Sequence, residues 1–233
     1  QFADNLSRLL SEQRLSTGKI TKWWTPRRII VGISDIPVQQ DDRHETVMGP
    51  PRRVAYDASG APTRAATAFA EKAGVPMSQI KVIETQKGEY LAVDRVLRGD
   101  KTLKILQTLI PSAIAGIQFP KTMHWTADHF RFARPLRWIV ALFAGRIVRF
   151  TIADVKSSNV TTGHRFLGKS RIAVDSLASL QEKLRENLVV VDPAERREPI
   201  VSGLRQEAQA CGGTLLEDPD LLQTVGTSMR RLP

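Results

Sequence analysis

Arginines set among aromatic side chains fill residues 119–168, which read FPKTMHW, then RFARPLRW, then TTGHRFLG. A guanidinium fork matches a phosphate bidentately, so Arg131, Arg134 and Arg137, spaced three apart around Pro135, suit anion binding. The competing reading is a solvated face with internal ion pairs, for which Asp128 is the one carboxylate near in sequence. Trp125, Phe130, Phe132 and Trp138 can stack on unpaired bases or belong to a core. His164, between a glycine and an arginine, is open to a base contact or to tying down its own loop. His124 and His129 are five apart with no further ligand nearby, and read as surface or hydrogen-bonding histidines. No Walker A sequence, no GxGxxG after a strand and no GxSxG occurs, so the chemistry on offer is recognition.

The charge is local. Residues 121–171 hold ten basic side chains against two acidic ones, in a chain of net charge +10, and the residues that follow them are net acidic. Clustered Lys and Arg neutralise phosphates and release counterions, which favours a polyanionic partner, nucleic acid first. A membrane surface calls for a continuous basic amphipathic helix, and Pro120, Pro135, Gly145 and Gly163 interrupt this stretch. The single Cys211 excludes an internal disulfide framework and a cysteine zinc site, fits a reducing cytosolic compartment, and is expected to be a buried thiol. The longest apolar run, residues 138–144, is too short for a bilayer, and Gln1 opens without a signal-peptide layout. A soluble piece excised from a longer protein is expected.

The elements that must position these side chains read as follows. Residues 2–15 form an amphipathic helix capped at Gly18, and residues 28–36 a strand with Thr25 to Arg28 at its entrance. Residues 38–60 form a long polar loop carrying Arg52 and Arg53. A short helix over 62–73 stops at Gly74, and residues 80–85 and 89–97 make a hairpin turned at Gln86, Lys87 and Gly88. Asp100 or Thr102 caps a helix bent at Pro111. Residues 137–143 and 147–155 form a second hairpin turned at Ala144, Gly145 and Arg146, with basic residues facing out. Residues 172–174 are a strand, 176–187 a helix and 188–191 a strand. Asp192, Pro193 and Glu195 start a helix that ends at Gly212 and Gly213. Helices and hairpins without a βαβ period or an internal repeat give an α+β class, with no doubly wound parallel sheet. The expected division is an N-terminal α+β part (1–120), a basic hairpin segment packed with it (121–172), and a C-terminal α/β part with a truncated end (173–233).

Thr25 to Arg28 (TPRR), Gly49 to Pro51 (GPP), Lys87 to Leu91 (KGEYL), FPKTMHW, RFARPLRW and Thr162 to Gly168 (TGHRFLG) resemble, in order and spacing, successive motifs of the bacterial glycyl-tRNA synthetase β subunit. The likeness runs from the first helix to about Leu222 and covers the front third of such a subunit. It implies a heterotetrameric, cytoplasmic ligase of two α and two β chains. The α subunit would activate glycine with ATP and Mg, while the β subunit serves tRNA recognition and charging. It also implies a strand before the first helix, which does not precede Gln1 here, and an HD-type domain and an anticodon-binding region farther on. Residues 225–233 depart from the family's continuation.

The residues and the resemblance together give a basic module without catalytic residues, cofactor or metal of its own. Its expected partners are the α subunit, tRNA(Gly) and the remainder of the β chain, and no membrane. Arg27, Arg28, Lys121, Arg131, Arg134, Arg137, His164 and Arg165 are the candidates for RNA contact. The alternatives are a stand-alone RNA-binding module, a nucleotide-processing enzyme using His124, His129 or His164, and a surface for docking the α subunit. At least one of Trp125 and Trp138 is expected to be a largely buried anchor that holds the arginines in place.

Overall fold

Phe2, Leu6, Leu9 and Leu10 recur at helical spacing and form one face of helix α1, Phe2–Glu12. The computed structural model describes residues 1–228 apart from Ala58, Lys87, Asp128 and Glu217. The hairpin-turn position Lys87, the acidic neighbour Asp128 and residues 229–233 therefore lie outside the described residues. Gly18 does not cap α1. Arg14 adopts a left-handed φ of 57°, and the Leu15 amide returns to the Leu10 carbonyl at 2.9 Å, which folds Leu15 back into the core. Strands β1, Ile20–Thr25, and β2, Arg28–Ile33, pair antiparallel from Ile20↔Ile33 to Thr25↔Arg28. The TPRR motif is thus the hairpin turn itself, with Pro26 pre-setting φ.

Contacts divide the chain into residues 1–38 with 101–233, and residues 39–100. In the second of these, residues expected to be loop form strand β3, Arg43–Pro51, and one helical turn α2, Arg52–Ala55. The alternation was masked because the inward positions of β3 are Glu45, Val47 and Gly49. A side chain at Gly49 would lie 2.7 Å from the Phe69 ring, so a larger residue would have to displace that ring. Helix α3, Arg64–Ala73, ends at left-handed Gly74 as expected. Strands β4, Lys81–Thr85, and β5, Gly88–Leu97, complete an antiparallel sheet in the order β3-β5-β4. Its small core is Ala55, Ala66 and Leu91 with Tyr56, Phe69, Met77 and Ile80 against it.

Returning to the first unit, helix α4, Thr102–Ala115, contains Pro111 and packs Leu106, Leu109 and Ala113 against Leu6, Leu10 and Leu15 of the α1 segment. Neither Asp100 nor Thr102 caps it. Lys101 occupies the cap position, and the Thr102 hydroxyl donates to the Pro37 carbonyl at 2.6 Å. Short strands follow: β6, Met123–His124; β7, Arg131–Phe132; β8, Ile139–Val140; β9, Leu142–Phe143; β10, Arg146–Ile147; β11, Thr151–Ile152; β12, Val155–Ser158; β13, Val160–Thr161; and β14, Ile172–Ala173. Strands β9 and β10 close at Ala144 and Gly145, both left-handed, where a turn is expected, but the expected hairpin of 137–143 with 147–155 is broken up, because β12 pairs with β11 and, in parallel, with β8. Only β12 with β8 is parallel among the described pairs, and the class is α+β.

Helix α5, Leu177–Glu186, begins with a Ser176–Ser179 capping box. Residues 188–191 form no strand. Leu188 is left-handed, Val189 and Val191 are buried, and the Val190 and Val191 carbonyls accept from Arg196 instead of a neighbouring strand. Helix α6, Pro193–Ala210, has Asp192 accepting from the Ala194 amide at 2.9 Å, as its sequence predicts. Cys211 at its end is exposed, because α6 finishes in solvent, so the expected burial of this thiol does not hold. Helix α7 is Pro219–Ser228. Among the described residues no helix is long and apolar enough to cross a membrane.

Candidate nucleic-acid interface

FPKTMHW and RFARP fold onto each other. Strands β6 and β7 pair Met123 with Phe132 and His124 with Arg131. Left-handed His129 makes the return, with its amide on the Thr126 carbonyl at 3.0 Å. His124 Nδ1 donates to the His129 carbonyl at 2.8 Å, which gives this histidine a structural partner. Beneath the hairpin Phe132, 9% exposed, meets Phe119 edge-on at 4.7 Å and stacks with Phe130 at 5.9 Å. Phe132 is thus the buried anchor. Trp125 is exposed while its Nε1–H donates to the Phe132 carbonyl at 2.8 Å, and Trp138 is half-buried. Of the two tryptophans, Trp138 comes nearer the expected anchor, since it is half-buried and holds the Arg28 guanidinium over its ring.

The candidate cations fall into two groups. Lys121, Arg131, Arg134, Arg137 and Arg165 are exposed, as is Arg27 at the β1–β2 turn. Arg131 spends its Nε–H on the Thr122 hydroxyl at 3.2 Å, which fixes the side chain on the hairpin face. Arg28 is half-buried and turned inward. Its Nη2 donates to the carbonyls of Thr162, 2.6 Å, and Gly163, 3.0 Å, and its guanidinium lies over the Trp138 ring. TPRR, RFARPLRW and TGHRFLG therefore meet through one side chain.

TGHRFLG is a closed loop. The Gly163 amide donates to the Lys169 carbonyl at 2.8 Å, and the Gly168 amide to the His164 carbonyl at 2.9 Å. Asn187, at the end of α5, anchors both sides: its carbonyl accepts from the His164 amide at 2.9 Å and its Oδ1 from the Lys169 amide at 3.0 Å. His164 Nδ1 accepts from the Phe166 and Leu167 amides at 3.4 and 3.3 Å, so His164 ties down its loop.

Sequence reasoning missed three residues that shape this surface. Asn187 has no motif, although the paired glycines at 163 and 168 signal a close backbone approach. Phe166, at the loop tip, is 79% exposed, more than any aromatic singled out beforehand. Arg196 lies in no motif, yet it is 2% exposed and its Nη1 donates to the carbonyls of Trp24, Val190 and Val191. Burial lowers its pKa from the ordinary arginine value, while Asp192 pulls the other way.

GPP and KGEYL meet in residues 39–100, where Pro51 pairs with Tyr90. They line an open cleft of about 720 Å³ with Arg52, Arg53, Tyr56, Asp57 and Glu89. Arg52 pairs with Glu89 at 2.9 Å, so the cleft offsets much of its own positive charge. Among the described residues no group of three or more potential metal ligands comes together.

A family model described as glycyl-tRNA synthetase beta subunit matches residues 1–229. The chain is 37% identical over 220 residues to the glycine--tRNA ligase beta subunit of Syntrophus aciditrophicus, covering 94% of this chain and 32% of that one. It is 42% identical over 216 residues to that of Trichlorobacter lovleyi, with 93% and 31% covered. For Clostridioides difficile the identity is 37% over 225 residues, with 97% and 33% covered. The chain thus spans about a third of the length of these relatives. With the motifs in place on the fold and a match across nearly all of its residues, the chain belongs to the glycyl-tRNA synthetase beta subunit family.

Proposed function

We propose that this chain is the N-terminal part of the β subunit of a cytoplasmic, heterotetrameric glycine--tRNA ligase, and that it helps bind tRNA and assemble with the α subunit during aminoacylation. Glycine activation, with its ATP and Mg, is placed on the α subunit. No residue of this chain is assigned to that step, and the chain alone is expected to give no pyrophosphate exchange with glycine and ATP. The observation that carries the RNA reading is the exposure of Lys121, Arg131, Arg134, Arg137 and Arg165 within a stretch of ten basic and two acidic residues.

The test is tRNA affinity against salt for Arg131→Glu with Arg134→Glu in the full β chain assembled with α. Each lost phosphate contact should flatten the log–log slope by about 0.7 for single-stranded regions, so losing both gives roughly 1.4. Arg197→Glu with Lys72→Glu is the charge-matched control, since both positions are exposed. Equal weakening by both pairs would reduce the effect to net charge. Loss of α association with tRNA binding intact would make the surface a docking face.

A further inference from the structure

The loop over residues 162–169 holds two apolar side chains in water on a rigid base. Phe166 is 79% and Leu167 57% exposed. Every backbone N–H from Gly163 to Lys169 except that of Arg165 has its partner given above, on the loop itself, on the His164 ring or on Asn187. A methyl group at Gly168 would lie 2.4 Å from the His164 nitrogen, and one at Gly163 2.6 Å from the Asn187 Cβ, so the backbone is closed as tightly as two glycines permit. Such a base fixes the direction in which the tip points and leaves little backbone freedom to lose on binding.

The stretch of chain that carries the tip is cationic. From residue 155 to residue 174 the chain has Lys156, Arg165, Lys169 and Arg171 and no Asp or Glu. Arg165, Lys169 and Arg171 are exposed, and the Arg165 guanidinium lies 5.2 Å from the centroid of the Phe166 ring. An aromatic ring with arginine over one face, the other face left for a base, and no carboxylate in its stretch of chain matches an unpaired nucleotide: the ring takes the base and the cations take the phosphates on either side. An apolar socket on a protein would complement Phe166 and Leu167 but would leave this positive charge unmatched.

We propose that Phe166 is a stacking platform for an unpaired base of the bound tRNA, with Arg165, Lys169 and Arg171 holding the adjoining phosphates. This rests on the RNA reading above and adds the chemistry of one contact to it.

The experiment uses the full-length β chain assembled with the α subunit and a tRNA(Gly) transcript, with Phe166→Leu and Phe166→Trp measured across a salt series. Leucine keeps an apolar tip and removes the ring, while tryptophan keeps a ring. Phe166→Leu should weaken tRNA binding roughly 5- to 100-fold, the range of one lost base stack, and leave the salt slope unchanged because no phosphate contact is lost. Phe166→Trp should bind at least as well as wild type, and both variants should retain the α subunit. Wild-type affinity in Phe166→Leu, or equal losses in both variants, overturns the proposal. So does loss of α association in Phe166→Leu, which would make the tip a protein contact. If Arg131→Glu with Arg134→Glu weakens tRNA binding in the same assay while Phe166→Leu does not, only the stacking contact fails. If neither change matters, the RNA reading fails and takes this contact with it.

Discussion

The Arg28 guanidinium lies 5.4 Å from the centroid of the Trp138 ring, and its Nη2 reaches the Thr162 and Gly163 carbonyls. One cation therefore joins the β1–β2 turn, the segment after β7 and the glycine loop. Hydrogen bonds from a charged donor contribute about 1.5–3 kcal/mol each, and a partly desolvated cation–π contact up to ~2 kcal/mol. These terms share one side chain and do not add. Arg28→Ala should cost about 2–4 kcal/mol in urea unfolding, and Arg28→Lys should recover little, since an ammonium cannot keep both the fork and the flat ring contact. If Arg28→Ala unfolds like wild type yet loses tRNA, Arg28 serves as a surface contact and not as a joint.

Neighbouring arginines on α6 should behave oppositely. Arg196 is buried against three carbonyls, whereas Arg197 is exposed. Arg196→Glu would bring a carboxylate against those carbonyls, and should destabilise by about 3 kcal/mol or more. Arg197→Glu should stay within about 0.5 kcal/mol of wild type. Thermal melts of the two single variants decide this, and equal melting temperatures would show that Arg196 is dispensable to the packing.

Local signals carried much of this fold. Asp192 with Pro193 marked the start of α6, Gly74 the end of α3, and Ala144 with Gly145 a hairpin turn, because each rests on a short-range backbone preference. Strand β3 escaped notice because its inward positions include a glutamate and a glycine, and its partner β5 lies some fifty residues away. The inward turn of Arg28, expected to contact RNA, and the burial of Arg196 left no sequence signal for a similar reason. Their partners are backbone carbonyls, which every residue has, so no residue type announces them. The motifs could be recognised in order, while the loop tip at Phe166 became distinct only once burial was known.

Acid should loosen the β3-β5-β4 sheet through Asp94. The Lys81 ammonium, first, and the Thr46 hydroxyl hold its carboxyl below the ordinary carboxylate value, tying β4 and β3 to β5. With the folded pKa depressed, its contribution is complete above the unfolded value of about 3.9 and is lost as pH falls through the folded one. Asp94→Asn should therefore be less stable than wild type at about pH 6, with the gap narrowing towards about pH 3. Hydrogen exchange of the β5 amides reads this unit directly. A gap that stays constant over the range would mean that the pair contributes no pH-dependent stability.

The glycine loop should fail at Gly168 more sharply than at Asn187. A Cβ at 168 would sit 2.4 Å from the His164 nitrogen and 2.8 Å from the Asn187 carbonyl oxygen, both backbone atoms that cannot swing aside. Forcing a methyl group into such a space typically costs ~1–3 kcal/mol, and here it also strains the bonds that the 164 and 168 amides make. Asn187→Ala keeps the carbonyl that accepts from His164 and loses the side-chain oxygen on the Lys169 amide, along with an amide donor to the Lys183 carbonyl at 2.8 Å. That change should cost about 1–2 kcal/mol. Urea midpoints should thus rank wild type above Asn187→Ala and that variant above Gly168→Ala. Amide exchange at residues 163–169 should speed up in both while the α1 and α4 amides stay protected. Slow exchange in the loop of Gly168→Ala would show that the backbone relaxes around the methyl group, and the tip at Phe166 would then not be rigidly held.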